Sequence, residues 1–173
     1  MNLLYIIGEP GVGKSTLVAT LTAGWEYEEA PTPFPHSVYS NGVWELGTHR
    51  EGYPGTDAMK MDIQPDVLRF MESIKPKLVL GEGARLGNGK FFNAMRAIGY
   101  DLQIVYLSGP MVAQERRAKR GSNQDGNYIK GKRTQALNLS LTFKHETTTI
   151  RADMTPEFLV QMLKGPVADA FRR

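Results

Sequence analysis

Cysteine is absent from the 173-residue chain, which excludes disulfides and thiolate metal sites and fits a reducing compartment. No apolar run approaches the ~20 residues that a membrane span requires. The apolar stretch at residues 3–7 is too short for a secretory signal core and lacks a basic leader. The expectation is a soluble, cytoplasmic protein with no membrane partner. Charge of one sign is scarce overall, with a formal net charge of +3. The hydrophobic share of 41% and charged share of 23% are ordinary for a globular chain, and the length suits one domain, 1–173, around one sizeable core. No internal repeat is visible.

What is present begins with punctuation. Residues 2–7 are an apolar run that stops at Gly8, the pattern of a short buried strand. Helical spacing follows over 15–22, with Leu17, Val18 and Leu21 facing inward. Residues 25–62 differ in character, holding four prolines and six of the sixteen aromatics. Val38-Tyr39 and Val43-Trp44 flank Asn41-Gly42, a two-residue hairpin signal. The stretch reads as a substrate-side insertion rather than a second domain. Further along, 64–74 is helical in pattern, with Val67, Met71 and Ile74 on one face and Pro76 as its stop. Strands are expected at 78–80, 102–107 and 147–150, and helices at 91–98, 112–120 and 135–141. A last helix is capped by Thr155 and ended before Gly165-Pro166. Residues 121–131, rich in glycine and asparagine, have the composition of a mobile loop. Strands alternating with helices imply an α/β fold with a mostly parallel central sheet covered on both faces.

Gly8-Glu9-Pro10-Gly11-Val12-Gly13-Lys14-Ser15 fits G-x-x-x-x-G-K-[ST], lying between a strand and a helix. The glycines Gly8, Gly11 and Gly13 let backbone amides, including those near Val12 and Thr16, turn toward phosphate oxygens. The positive end of the following helix adds to the attraction. Lys14 is placed to reach the β- and γ-phosphates and Ser15 to ligand Mg²⁺. The implied ligand is Mg²⁺-ATP, although the motif alone does not separate ATP from GTP.

The other segments narrow the class. No Asn-Lys-x-Asp guanine-reading element occurs, and Leu107-Ser108-Gly109-Pro110 only faintly echoes a transporter signature. Glu82 follows a central strand, where α/β sheets place ligands, and can hold Mg²⁺ through water or accept a proton. Arg85, three residues on, is a candidate phosphate contact. Residues 111–133 carry seven cations against Glu115 and Asp125. This is a basic lid candidate, with Arg116 and Arg120 on one helix face to neutralise transferring charge. In residues 47–59, Arg50 is a candidate for a substrate phosphate and Asp57 for a hydroxyl proton, while His49 reads as incidental. Which carboxylate is the general base and which arginine meets the γ-phosphate stay open.

This layout resembles the nucleoside- and nucleoside-monophosphate-kinase folds, in which a substrate-covering element follows the first helix and an arginine-rich lid closes over the phosphates. The resemblance implies a three-layer P-loop kinase sandwich with a hairpin-containing insertion and a basic lid. The 47–59 stretch, the P-loop and Gly81-Glu82-Gly83-Ala84-Arg85 together are similar to bacteriophage P-loop kinases that modify DNA bases. That similarity implies ATP-dependent phosphorylation of the 5-hydroxymethyl group of 5-hydroxymethyldeoxyuridine in DNA, inside a host cell. The lid cations would suit a polynucleotide backbone, and the aromatics of 25–62 could stack an extruded base. The alternatives are a kinase of free deoxynucleoside monophosphates or nucleosides, and a binding module that uses ATP only as a switch.

Overall fold

The first strand explains the layering. In β1 (Asn2–Gly8), Leu3, Tyr5 and Ile7 point to one face and Leu4 and Ile6 to the other, and all five are buried. A strand buried on both faces needs a cover on each side. The computed structural model describes residues 1–47, 55–154, 158, 161–163 and 165–171. After β1 come α1 (Lys14–Leu21), β2 (Tyr27–Ala30), β3 (His36–Tyr39), β4 (Val43–Leu46), a 3-10 turn (Thr56–Ala58) and α2 (Gln64–Ile74). Then follow β5 (Leu78–Glu82), α3 (Gly89–Ile98), β6 (Asp101–Ser108), α4 (Pro110–Lys119), α5 (Gly126–Thr142), β7 (Thr147–Arg151) and α6 (Gly165–Phe171).

The seven strands form one sheet in the order β2-β3-β4-β5-β1-β6-β7, parallel from β4 to β7 and antiparallel at the β2-β3-β4 edge. On the Leu3/Tyr5/Ile7 face, α2, α3 and α5 contribute Val67, Met71, Phe91, Phe92, Met95, Ala136 and Leu139. On the other face, α1, α4 and α6 contribute Val18, Leu21, Ala113, Val167, Ala168 and Phe171. Each large apolar side chain so buried contributes roughly 1.5–3 kcal/mol. In the β1–β5 register Ile6 pairs with Glu82, so β5 ends beside the start of the glycine-rich turn.

The hairpin is present, but it does not stand apart from the sheet: β4 runs parallel to β5 and extends it. Its connection differs from the two-residue turn expected. Val38 pairs with Trp44, leaving Ser40, Asn41 and Gly42 as the loop, and the Gly42 amide donates to the Tyr39 carbonyl at 2.8 Å. Gly42 takes φ 83°, the left-handed residue of a three-residue loop with a bulge.

Two other expectations are corrected. Residues 121–131 are not all loop, because α5 starts at Gly126. The Asp125 carboxylate accepts from the Tyr128 amide at 3.0 Å and caps the helix. Gly126 and Gly131 face open space, and burial of Ala136 and Leu139 outweighs their weak propensity. Ile74 shares its spacing with Val67 and Met71 but is exposed, lying in the last turn before Lys75 turns the chain out at φ 52°. Phe158, Gln161 and Met162 are helical and Leu163 is not, which agrees with a helix ending before Gly165-Pro166; Gly165 itself opens the further short helix α6. The Thr155 cap lies outside the described residues.

Candidate functional site

The adjacent central strands β1 and β5 end side by side at the glycine-rich turn. The Val12 amide donates to the Glu9 carbonyl at 3.3 Å, and Gly13 at φ 108° immediately precedes α1. Lys14 curls back so that its Nζ donates to the Glu9 carbonyl at 3.3 Å. Ser15, one residue into the helix, donates its hydroxyl to Glu82 Oε1 at 2.7 Å. A helix start and a strand end separated by 67 residues therefore meet at one hydroxyl–carboxylate pair.

Glu82 is only 3% exposed, and its carboxyl is pushed up to about 7. Burial is the main cause; Lys14 and the Ser15 hydrogen bond pull the other way, while Asp57 and Glu45 add to the rise. The surroundings are built close around it. A Cβ on Gly55 would lie 2.3 Å from Glu82 Oε1, so only glycine fits there. Thr56 donates its hydroxyl to the Glu82 carbonyl at 2.8 Å. The Tyr5 hydroxyl, fully buried, has one proton to share between Thr56 Oγ1 at 3.0 Å and the Gly83 carbonyl at 3.1 Å. Burial raises the Tyr5 phenol well above its ordinary value, so it stays a neutral donor.

Asp57 Oδ1 accepts from the Ala84 amide at 2.7 Å and the Arg85 amide at 3.2 Å. These bonds dock the 3-10 turn onto the end of β5 and bring Asp57, Glu82 and Arg85 to one place. Arg85 directs Nη1 at the Met61 sulfur, its Nε is buried without a partner, and it has no carboxylate partner among the described residues. A cavity of about 570 Å³ opens here, lined by Gly8, Lys14, Asp57 and Arg85, with Tyr128, Lys132 and Gln135 facing in from α5. Beyond the glycine-rich turn lies a second cavity of about 320 Å³, lined by Gly13, Thr16, Arg116, Ile150, Ala152 and Met154. The glycine-rich turn lines both cavities, with Gly8 and Pro10 facing the first and Val12 and Gly13 the second.

Ser15 Oγ and Glu82 Oε1 are hard oxygen donors 2.7 Å apart, and the carboxylate is buried. That set fits Mg²⁺, which characteristically takes one or two carboxylates and completes its shell from phosphates and water.

Of the residues singled out from sequence, Lys14, Ser15, Glu82, Asp57 and Arg85 come together. Arg50 and His49 lie outside the described residues. Arg116 Nη1 donates to the Val12 carbonyl at 2.7 Å, and the residue lines the second cavity beside Gly13 and Thr16. Arg120 donates its Nε to the Arg116 carbonyl at 3.3 Å. Sequence reasoning counted Arg117 among the lid cations without giving it a role of its own; its Nη1 donates to the Pro10 carbonyl and lies 3.5 Å from Glu9 Oε2. Lys132 was likewise among the lid cations, whereas Thr56, Tyr128 and Gln135 were not singled out, and no motif gave a signal for them.

The aromatics of 25–62 do not form a free stacking platform among the described residues. Trp25 stacks on Phe171 at 5.3 Å, His36 stacks on Trp44 at 5.2 Å, and Phe34 and Tyr39 are buried.

Among the described residues no helix is long and apolar enough to cross a membrane. No curated protein matches the chain. A solved, unliganded structure described as a sugar kinase, from Janibacter sp. HTCC2649, is 15% identical with a TM-score of 0.44, covering 94% of this chain and 91% of that one. A family model described as P-loop Nucleotide Kinase3 matches residues 1–154, and the chain belongs to that family of P-loop nucleotide kinases.

Proposed function

We propose that this chain is an ATP- and Mg²⁺-dependent kinase that phosphorylates a hydroxyl of a nucleotide seated in the 570 Å³ cavity. The observation that carries it is the Ser15–Glu82 pair at 2.7 Å beside Lys14, on the wall of a cavity that also contains Asp57. In this reading the smaller cavity takes the nucleobase of ATP and the turn amides take its phosphates. Lys14 exchanges the Glu9 carbonyl for the phosphates. Ser15 and Glu82 would hold Mg²⁺, which would supply neutralisation of the phosphate charge. Asp57, its Oδ1 fixed by two backbone amides, presents its other oxygen to the acceptor hydroxyl and takes the proton as that oxygen attacks phosphorus in line. Arg85 and Lys132 face the acceptor's anionic groups.

The resemblance read from the sequence names the acceptor as the 5-hydroxymethyl group of 5-hydroxymethyldeoxyuridine in DNA. Lys119, Lys130 and Arg133 support it: they are exposed on α4 and α5 and have no carboxylate partner among the described residues. Such unpaired cations suit a polynucleotide track. The packed aromatics favour the second reading, a free deoxynucleoside monophosphate whose phosphate meets Arg85. A nucleotide substrate and a cysteine-free chain both fit the cytoplasm.

The test is transfer of γ-³²P from ATP to DNA containing 5-hydroxymethyluracil, to unmodified DNA, and to free deoxynucleoside monophosphates. Label on the modified DNA alone supports the first reading, and label on a monophosphate supports the second. ATP binding without transfer to any acceptor would leave a nucleotide-switched binding module and refute the kinase.

A further inference from the structure

Two neighbouring arginines of α4 donate to backbone carbonyls of the glycine-rich turn. Arg117 Nη1 donates to the Pro10 carbonyl, and Arg116 Nη1 donates to the Val12 carbonyl at 2.7 Å. The Pro10 carbonyl and the Gly11 amide belong to one planar peptide unit, and so do the Val12 carbonyl and the Gly13 amide. In a trans peptide the C=O and N–H point in opposite directions. A guanidinium that holds the carbonyl outward therefore holds the amide inward, where a phosphate would lie.

We propose that Arg116 and Arg117 are positioning residues that fix the Gly11 and Gly13 amides in their anion-binding orientation before any nucleotide arrives. The inference rests on reading residues 8–15 as the phosphate site.

Two further observations support it. The first is space. A Cβ on Gly13 would lie 2.3 Å from Arg116 Nη1, and one on Gly11 would lie 2.8 Å from Arg117 Cγ and 3.0 Å from the Ala113 carbonyl. At Gly11 that room is taken by the Arg117 stem and the α4 backbone, and at Gly13 by the tip of Arg116, while the positive φ of both residues, 84° and 108°, independently favours glycine. The second is the anchoring of Arg117. Its side chain is 13% exposed and lies 3.5 Å from Glu9 Oε2, on a residue that is itself 5% exposed. The Glu9 backbone carbonyl meanwhile accepts from Lys14 Nζ and from the Val12 amide, each at 3.3 Å. One ion pair thus ties the base of α4 to the residue that organises both the lysine and the turn. Shielded from water, such charge-assisted bonds hold geometry well.

The test uses Arg116→Met, Arg117→Met and Arg117→Lys in the full chain. Amide hydrogen exchange of the peptide spanning residues 8–17 is measured without ligand, and affinity is measured for Mg²⁺ with inorganic triphosphate, which has no base or sugar. Each methionine variant should speed exchange in that peptide and weaken triphosphate binding by about tenfold, with exchange in β6 and α3 unchanged. Arg117→Lys should recover part of both effects, because it restores the charge beside Glu9 without the fork. With ATP the loss should appear in KM more than in kcat. Unchanged exchange and unchanged triphosphate affinity in both methionine variants would overturn the proposal. Should Arg117→Met not fold, Arg116→Met decides alone. Wild-type protein that fails to bind triphosphate would instead overturn the phosphate-site reading, while the exchange rates still decide the brace.

Discussion

Replacing Glu82 by glutamine should make the nucleotide-free protein more stable at high pH and erase part of its pH dependence. The folded carboxyl titrates at about 7, against 4.5 for an unperturbed glutamate. Between those values the folded chain binds more protons at this group than the unfolded chain does. Stability from this group is therefore fully present below pH 4.5 and lost as pH rises through 7. At about 1.4 kcal/mol per pKa unit, the interval is worth about 3 kcal/mol. For a chain of this size that corresponds to roughly 6–12 °C in Tm. Glutamine keeps the shape and an oxygen for the Ser15 hydroxyl but does not titrate. The assay is thermal unfolding of wild type and Glu82→Gln from pH 5 to 8.5 in EDTA. The difference between them should grow with pH, the variant melting higher above pH 7. Added Mg²⁺ with a triphosphate should reverse the order, since only the wild type offers an anionic ligand. Parallel profiles at every pH would refute the claim that Glu82 is a buried, under-neutralised carboxylate.

Lys14→Ala should lower turnover by about 10²–10³ or more while leaving Tm nearly unchanged, checked by steady-state kinetics alongside melting; retained activity would remove the phosphate site from this turn. Asp57→Asn keeps an oxygen for the Ala84 and Arg85 amides, so the variant should fold normally. Its kcat should fall by about 10²–10⁴ with KM little changed, and a fall below threefold would exclude Asp57 as the base. Gly55→Ala would set a Cβ 2.3 Å from Glu82 Oε1 at φ 67°. It should cost about 2 kcal/mol or more by urea denaturation, and a neutral outcome would mean the turn relaxes away from β5.

The frame of the fold was legible because its signals are local. The apolar run of β1, the G-x-x-x-x-G-K-[ST] spacing and the helix stops at Pro76 and Gly99 each depend on a few adjacent residues. The site was legible only where it lies on such a motif. Glu82 was found by its position after a strand, and the structure then showed it to be the last residue of β5 itself. Its partnership with Ser15 spans 67 residues, a pairing that only the sheet register reveals. The arginines of α4 were recognised as phosphate-related from composition, but composition does not say from which side they approach. The helical start at Gly126 was hidden because its stabilising residues, Ala136 and Leu139, lie well downstream of the glycines that suggested a loop. β2 was hidden because Tyr27, Glu28 and Glu29 are all exposed and show no alternation.

Gly47 and Gly55 abut so closely that a Cβ on Gly47 would lie 2.1 Å from the Gly55 carbonyl carbon. The chain that leaves β4 therefore returns to its point of departure before it reaches Thr56 and Asp57. The seven residues between, 48–54, join two points that are already pinned together by the sheet on one side and by Glu82 on the other. Asp57 and Glu82 are thus held in place by a closed neck of described residues, in which Gly47 abuts Gly55, Thr56 bonds the Glu82 carbonyl and Asp57 bonds the amides after β5.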